Sequence, residues 1–122
     1  MPELYSDILL DHFRHPRNYG SLDAPDISNE QFNPLCGDRI RLELKLEQAI
    51  ASEARFKGDA CAICTAAASL LTEIIRGKHV EELPNIPDAR LISALESDIM
   101  PARLQCALLP LHALREGLKD RV

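Results

Sequence analysis

Between Arg39 and Leu46 the chain alternates without a break, Ile40, Leu42, Leu44 and Leu46 against Arg39, Arg41, Glu43 and Lys45. A period of two places successive side chains on opposite faces of an extended backbone, so this segment reads as a strand with one buried and one wet face. After a short turn, Ile50 to Lys57 can return antiparallel, with Ile50, Ser52, Ala54 and Phe56 sharing a face. A hairpin of this kind has an apolar side to cover. The alanine-rich stretch that follows suits close packing on a sheet.

That stretch predicts a helix from Ala60 to Arg76, with Ile63, Ala67, Leu70, Leu71 and Ile74 facing inward and Gly77 as its stop. Upstream, residues 3 to 13 read as an amphipathic helix with Tyr5, Ile8, Leu9, His12 and Phe13 on one stripe. Pro16 ends it and opens a turn through Gly20, and a short edge strand is expected near Ser28 to Phe32. Downstream, Pro84 and Pro87 mark a connection, and a helix is expected over Asp88 to Glu96. A last helical region reaches from Ala102 to Lys119 along Leu104, Leu108, Leu111, Leu114 and Leu118. Pro110 cannot donate to the carbonyl of Cys106, so the favoured reading starts this helix near residue 107 with Pro110 in its tolerant first turn. Cys106 then stands at a helix amino terminus.

No repeat or linker divides the 122 residues, which read as one domain over 1–122 with enough chain for a core of its own. A formal net charge of -5, with bases interspersed among acids, argues against nucleic acid as a partner. No apolar run approaches the roughly 18 residues of a membrane span, and Met1-Pro2-Glu3-Leu4 lacks the blocks of a signal peptide. No membrane is expected, and a cytoplasmic location follows. In that reducing setting four cysteines point toward metal or sulfur chemistry, not disulfides.

Three of them fall at element boundaries, where side chains can converge. Cys36 lies in a turn before a strand, Cys61 follows Gly58-Asp59 at a helix start, and Cys106 stands at another. A helix amino terminus carries partial positive charge and favours thiolate, the form that binds metal and attacks sulfur. Asp38, two residues from Cys36, can face the same centre. Cys36, Asp38, Cys61 and Cys106 together offer a tetrahedral set for zinc, and the same thiolates suit an iron–sulfur cluster. One harder oxygen ligand weakens the grip, which is useful in a site that must release its cargo. Cys64 has two readings, a further ligand three residues along the helix or a small apolar residue turned into the core. Of the histidines, His12 reads as a hydrogen-bonded structural imidazole and His15 as surface. His79 reads as a partner for the helix end near Gly77, and His112 as remote from the Cys106 face.

These residues resemble the iron–sulfur cluster assembly scaffolds of the NifU amino-terminal, IscU and SufU family. The resemblance runs from Tyr5 to Leu118 through Asp11-His12, Pro16-Arg17-Asn18-Tyr19-Gly20, Asn33-Pro34-Leu35-Cys36-Gly37-Asp38, Phe56-Lys57-Gly58-Asp59-Ala60-Cys61-Ala62-Ile63 and Arg103-Leu104-Gln105-Cys106-Ala107. It implies an α+β fold, a small three-stranded antiparallel sheet covered on one face by helices. It implies Cys36, Asp38, Cys61 and Cys106 as ligands, with Cys106 the candidate persulfide acceptor. Its implied partners are a cysteine desulfurase and apo iron–sulfur client proteins, and its implied cargo is a transient [2Fe-2S] cluster, with Zn2+ or Fe2+ in the same site. The alternative it carries is a SufU-like zinc-dependent sulfurtransferase. Gln105 replaces a histidine usual before the last cysteine, and Met100-Pro101-Ala102-Arg103 replaces the Leu-Pro-Pro-Val-Lys motif, which argues against delivery by an Hsp70-type chaperone. Cys64 stands where a serine is usual. Arg103 is expected to pair with Asp38 when metal is absent.

Overall fold

A computed structural model describes residues 5–119. Three strands, β1 (Ile27–Asn33), β2 (Asp38–Glu47) and β3 (Ile50–Asp59), form an antiparallel sheet in the order β1-β2-β3. Four α-helices accompany it: α1 (Asp7–Arg14), α2 (Ala62–Ile75), α3 (Asp88–Ala94) and α4 (Leu104–Lys119). Helices α2 and α4 pack on the sheet and on each other, α1 lies along α2, and the architecture is the expected α+β one.

The alternating strand holds its core face as read, with Ile40, Leu42 and Leu44 buried. Leu42 pairs with Phe56 and Leu44 with Ala54. Beyond Lys45 the register shifts, so Leu46 pairs with Ala51 and Ser52 becomes the extra residue of a bulge. The inner face of β3 is therefore Ala51, Ala54 and Phe56, which corrects the strict alternation expected for Ile50 and Ser52. The outer face is not uniformly wet either. Glu43 is buried because residues 20–26 cross over it: its carboxylate accepts the Leu22 N–H at 2.7 Å and the Arg41 Nε–H at 2.8 Å. Burial opposes its charge, but these donors prevail and hold the carboxyl below its ordinary range.

Helix α1 starts at Ser6, whose hydroxyl accepts the Leu9 N–H at 3.0 Å. Residues 3 and 4 of the expected helix lie outside the described residues. Leu9 and His12 form its buried face, while Phe13 is exposed, contrary to its place on the expected stripe. Helix α2 is buried on more sides than an amphipathic stripe requires. Cys64, Ala66, Ala68, Ser69, Thr72 and Ile75 join Ile63, Ala67 and Leu71 in the core, whereas Leu70 and Ile74 are half-buried.

Helix α4 corrects the sequence reading most. It begins at Leu104, directly after a 3₁₀ turn over Pro101–Arg103, and Pro110 lies within it. Pro101 at the first position of that turn is the start signal, since its fixed φ suits a helix entry. Pro110 still leaves the Cys106 carbonyl without its usual donor four residues on. The buried face is formed largely by small groups: Ala107, Pro110, Ala113 and Gly117 share it with Leu111 and Leu114, and Leu104, Leu108 and Leu118 are only half-buried. A Cβ on Gly117 would stand 2.9 Å from Ile27 Cγ2, so this end of α4 lies against β1 closer than a side chain allows.

Candidate metal centre

The site is assembled at the end of the sheet where β2 begins and β3 ends. Between β1 and β2 the chain turns through Asn33, whose side-chain Oδ1 accepts the Leu35 N–H at 3.0 Å and whose carbonyl accepts the Gly37 N–H at 2.7 Å. Gly37 takes φ +77°, a left-handed conformation open to glycine without strain. The turn leaves Cys36 exposed, next to Leu35 at 92% exposure. Asp38, the first residue of β2, is instead buried.

Asp38 connects the parts. Its Oδ1 accepts the backbone N–H of Cys61 at 2.9 Å, tying the start of β2 to the residue that caps α2. Its Oδ2 is buried and, among the described residues, has no hydrogen-bond partner. An unsatisfied carboxylate oxygen in the interior is costly and points to a ligand that completes it. Cys106, in the first turn of α4, is 2% exposed, and its Sγ donates to Cys36 Sγ at 3.2 Å. The two sulfurs and an oxygen of Asp38 lie within 4.8 Å of one another.

Cys61 caps α2, its sulfur accepting the Cys64 N–H at 3.5 Å. This sulfur stands outside the close trio and reaches it through Asp38. Cys64 lies in the third position of the same helix and is fully buried among core side chains. So the structure brings Cys36, Asp38 and Cys106 into one cluster, sets Cys61 beside it, and places Cys64 behind it.

Burial and acidic neighbours favour the protonated thiol at three of the cysteines. Burial raises the Cys61 thiol above its ordinary range, and Asp38 beside it adds to the effect. Cys106 is pushed up to about 12, first by burial and then by its hydrogen bond with Cys36. Cys64 is raised further still, by burial and then by the charge of Asp38. A divalent cation reverses this balance, because it supplies the positive charge that stabilises thiolates and carboxylate together. The donor set of soft sulfurs and one oxygen fits zinc or iron.

Arg103 is exposed at the mouth, a cavity of about 370 Å³ shared with Asn33, Leu35, Cys36, Gln105 and Cys106. The neighbouring Cys61, and then Cys106, holds its guanidinium above the usual range. Among the described residues it forms no ion pair with Asp38, contrary to expectation.

No histidine reaches the cluster. His12 is the structural imidazole expected, with Nδ1 2.7 Å from Ser69 Oγ. His15 and His112 are exposed. His79 corrects its expected role: it caps the 3₁₀ helix over Val80–Asn85, accepting the Glu81 N–H at 3.2 Å, and does not serve the end of α2. The connection that sequence reading missed is the bond from Asp38 to the Cys61 backbone, which no spacing rule reveals.

The chain is similar to known proteins over nearly its whole length. The model of the NifU-like N terminal domain matches residues 4–121. The chain is 37% identical to the zinc-dependent sulfurtransferase SufU of Bacillus subtilis, over 94% of this chain and 89% of that protein. It is also 37% identical to the iron–sulfur cluster assembly scaffold protein IscU of Azotobacter vinelandii, over 95% of this chain and 92% of the relative. A crystal structure of the amino-terminal part of a NifU-like protein from Brucella abortus shares the fold, with a TM-score of 0.78 and 20% identity over 97% of this chain and 94% of that one.

Proposed function

Since the chain belongs to the NifU-like N-terminal domain family, we propose that it is a scaffold on which a labile iron–sulfur cluster is built and from which it is handed to apo-proteins. The observation that carries this reading is Asp38: a buried carboxylate with an unpartnered Oδ2 and an oxygen in one small volume with two cysteine sulfurs. Cys36, Asp38, Cys61 and Cys106 would hold a [2Fe-2S] cluster as cargo, and Zn2+ or Fe2+ in its place. The set fits a cargo that must leave, because one ligand is hard oxygen and one, Cys36, is open to solvent. Sulfur would arrive from a cysteine desulfurase as persulfide, with Cys106 the acceptor that faces the cluster volume. The client proteins are apo iron–sulfur proteins, and the whole chain acts as a single domain. The ligands work only as free thiols, which suits the reducing cytoplasm. Among the described residues no helix is long and apolar enough to cross a membrane.

A second reading is favoured by one observation. Cys36 is the solvent-facing sulfur and Cys106 is not, so an exposed thiol adjoins the cation site as a zinc-dependent sulfur relay requires. Anaerobic incubation with iron, cysteine, a desulfurase and a thiol reductant separates the two. A visible-absorbing chromophore that passes to an apo-ferredoxin supports the scaffold. Retained zinc with persulfide transfer and no chromophore supports the relay and overturns the scaffold.

A further inference from the structure

The sequence contains Cys61-Ala62-Ile63-Cys64, and outside the ligand set Cys64 has no role but to fill the core. The fold gives the pair a defined relation. Cys61 is the cap of α2 and Cys64 is three residues on, and the Cys64 N–H points to Cys61 Sγ at 3.5 Å. That bond holds the Cys61 sulfur over the first turn of α2, the turn that carries Cys64. Their access to solvent differs sharply. Cys61 is half-buried beside the open mouth, whereas Cys64 has no exposed surface at all. Reagents from outside reach the first sulfur and not the second.

We propose that Cys61 and Cys64 form a reversible dithiol–disulfide pair, with Cys64 the buried resolving thiol for a Cys61 oxidised by a hydroperoxide. The Cys61 sulfur attacks the peroxide oxygen, giving a sulfenic acid and releasing water (or an alcohol). Cys64 then displaces the hydroxyl from the Cys61 sulfur. The Cys61–Cys64 bond forms, and the Cys64 proton leaves with the hydroxyl as a second water. Two thiols lose two electrons in all, and the peroxide takes both. A dithiol reductant reopens the pair by thiol–disulfide exchange. Closure occupies Cys61 and removes it from the metal set, and it stops oxidation short of the irreversible sulfinic acid. The consequence for cluster loading rests on the scaffold reading above; the disulfide itself does not.

The test is made on the full chain, stripped of metal and reduced, then exposed anaerobically to excess hydrogen peroxide and digested with trypsin without reduction. Cys61 and Cys64 share the peptide 58–76, whereas a Cys36–Cys106 bond would join two peptides. The expected result is peptide 58–76 lighter by two hydrogens and restored by dithiothreitol. In Cys64→Ser and Cys64→Ala, Cys61 instead gains oxygen and proceeds to sulfinic acid. The inference is overturned if the natural chain gives sulfinic Cys61 to the same extent as those variants. It is also overturned if Cys36–Cys106 is the sole disulfide and both thiols of 58–76 remain alkylatable. The natural-chain mapping decides even if the variants misfold. A chain that closes this disulfide yet assembles no cluster refutes the scaffold reading and leaves this inference standing.

Discussion

At the scale of single residues the centre turns on Asp38. One oxygen holds the Cys61 N–H and the other is buried with no partner, so the side chain has a structural half and a ligand half. Asp38→Asn keeps an acceptor for the N–H and removes the buried charge. The metal-free variant should therefore be at least as stable as the natural chain, while zinc should raise its melting temperature far less. Thermal melts with and without zinc check this, and an equal zinc-induced rise would show that Asp38 is not a ligand. Sequence spacing was enough to gather Cys36, Asp38, Cys61 and Cys106 as candidates, because three lie at element boundaries and the fourth is two residues from Cys36. It was not enough to rank them. Which sulfur faces solvent and which lies under the turn depends on how α4 crosses the sheet, and that is a matter of packing between distant segments. Cys64 shows the same limit: an offset of three within a helix allows either a ligand or a core residue, and only its own full burial against the core side chains places it.

Among the elements, α1 and α2 are joined by a buried polar clamp that carries a pH dependence. Ser69 Oγ accepts the Arg17 N–H at 2.8 Å and lies 2.7 Å from His12 Nδ1. Glu73, whose carboxylate only accepts, lies 3.6 Å from His12 Nε2, so these neighbours assign the hydrogen to Nε2 and leave Nδ1 to receive the Ser69 hydroxyl. Burial, and then Arg17, lowers the His12 pKa from its ordinary 6.5. The folded state thus prefers neutral imidazole and the unfolded chain binds the extra proton. The contribution is fully present above the ordinary value and is lost as pH falls below it through the folded pKa. The melting temperature should drop between about pH 7 and 5, and His12→Gln should flatten that part of the profile. A second test concerns the strand pair that presents the site. A Cβ on Gly58 would lie 1.9 Å from the Arg39 carbonyl oxygen, so Gly58→Ala must part β2 from β3 beside Asp38. A loss of roughly 2–3 kcal/mol in denaturant unfolding is expected, together with weaker zinc binding. The β2 alternation was legible because the pleat imposes it residue by residue. The bulge at Ser52 and the true start of α4 were not: the first is set by how two strands share a twist, and Pro110 pointed to a later start than Pro101 allows.

Across the whole molecule the metal centre and the core are neighbours but not the same structure. The core runs from Leu9 through the sheet, α2 and α4 to Leu83, Leu91 and Leu95, and it is apolar almost throughout. The candidate ligands sit at its rim, on the β1–β2 turn, the start of β2, the cap of α2 and the first turn of α4. Each of those elements is anchored by burial further along its length. Burial of side chains such as Phe56, Leu71 and Leu114 contributes about 1.5–3 kcal/mol apiece, independently of any ion. Metal removal should therefore loosen the mouth and spare the fold. Far-UV circular dichroism should be nearly unchanged after chelation, and amide exchange should quicken around residues 34–38, 60–62 and 101–106 while the strands stay protected. Restored zinc should stabilise by mass action alone, about 2.7 kcal/mol at a hundredfold excess over its dissociation constant. Loss of the helical signal on chelation would mean instead that the metal builds the domain, the behaviour of a structural zinc site. A scaffold has to survive both loaded and empty, and a core that closes without the ligands is what makes that cycle possible.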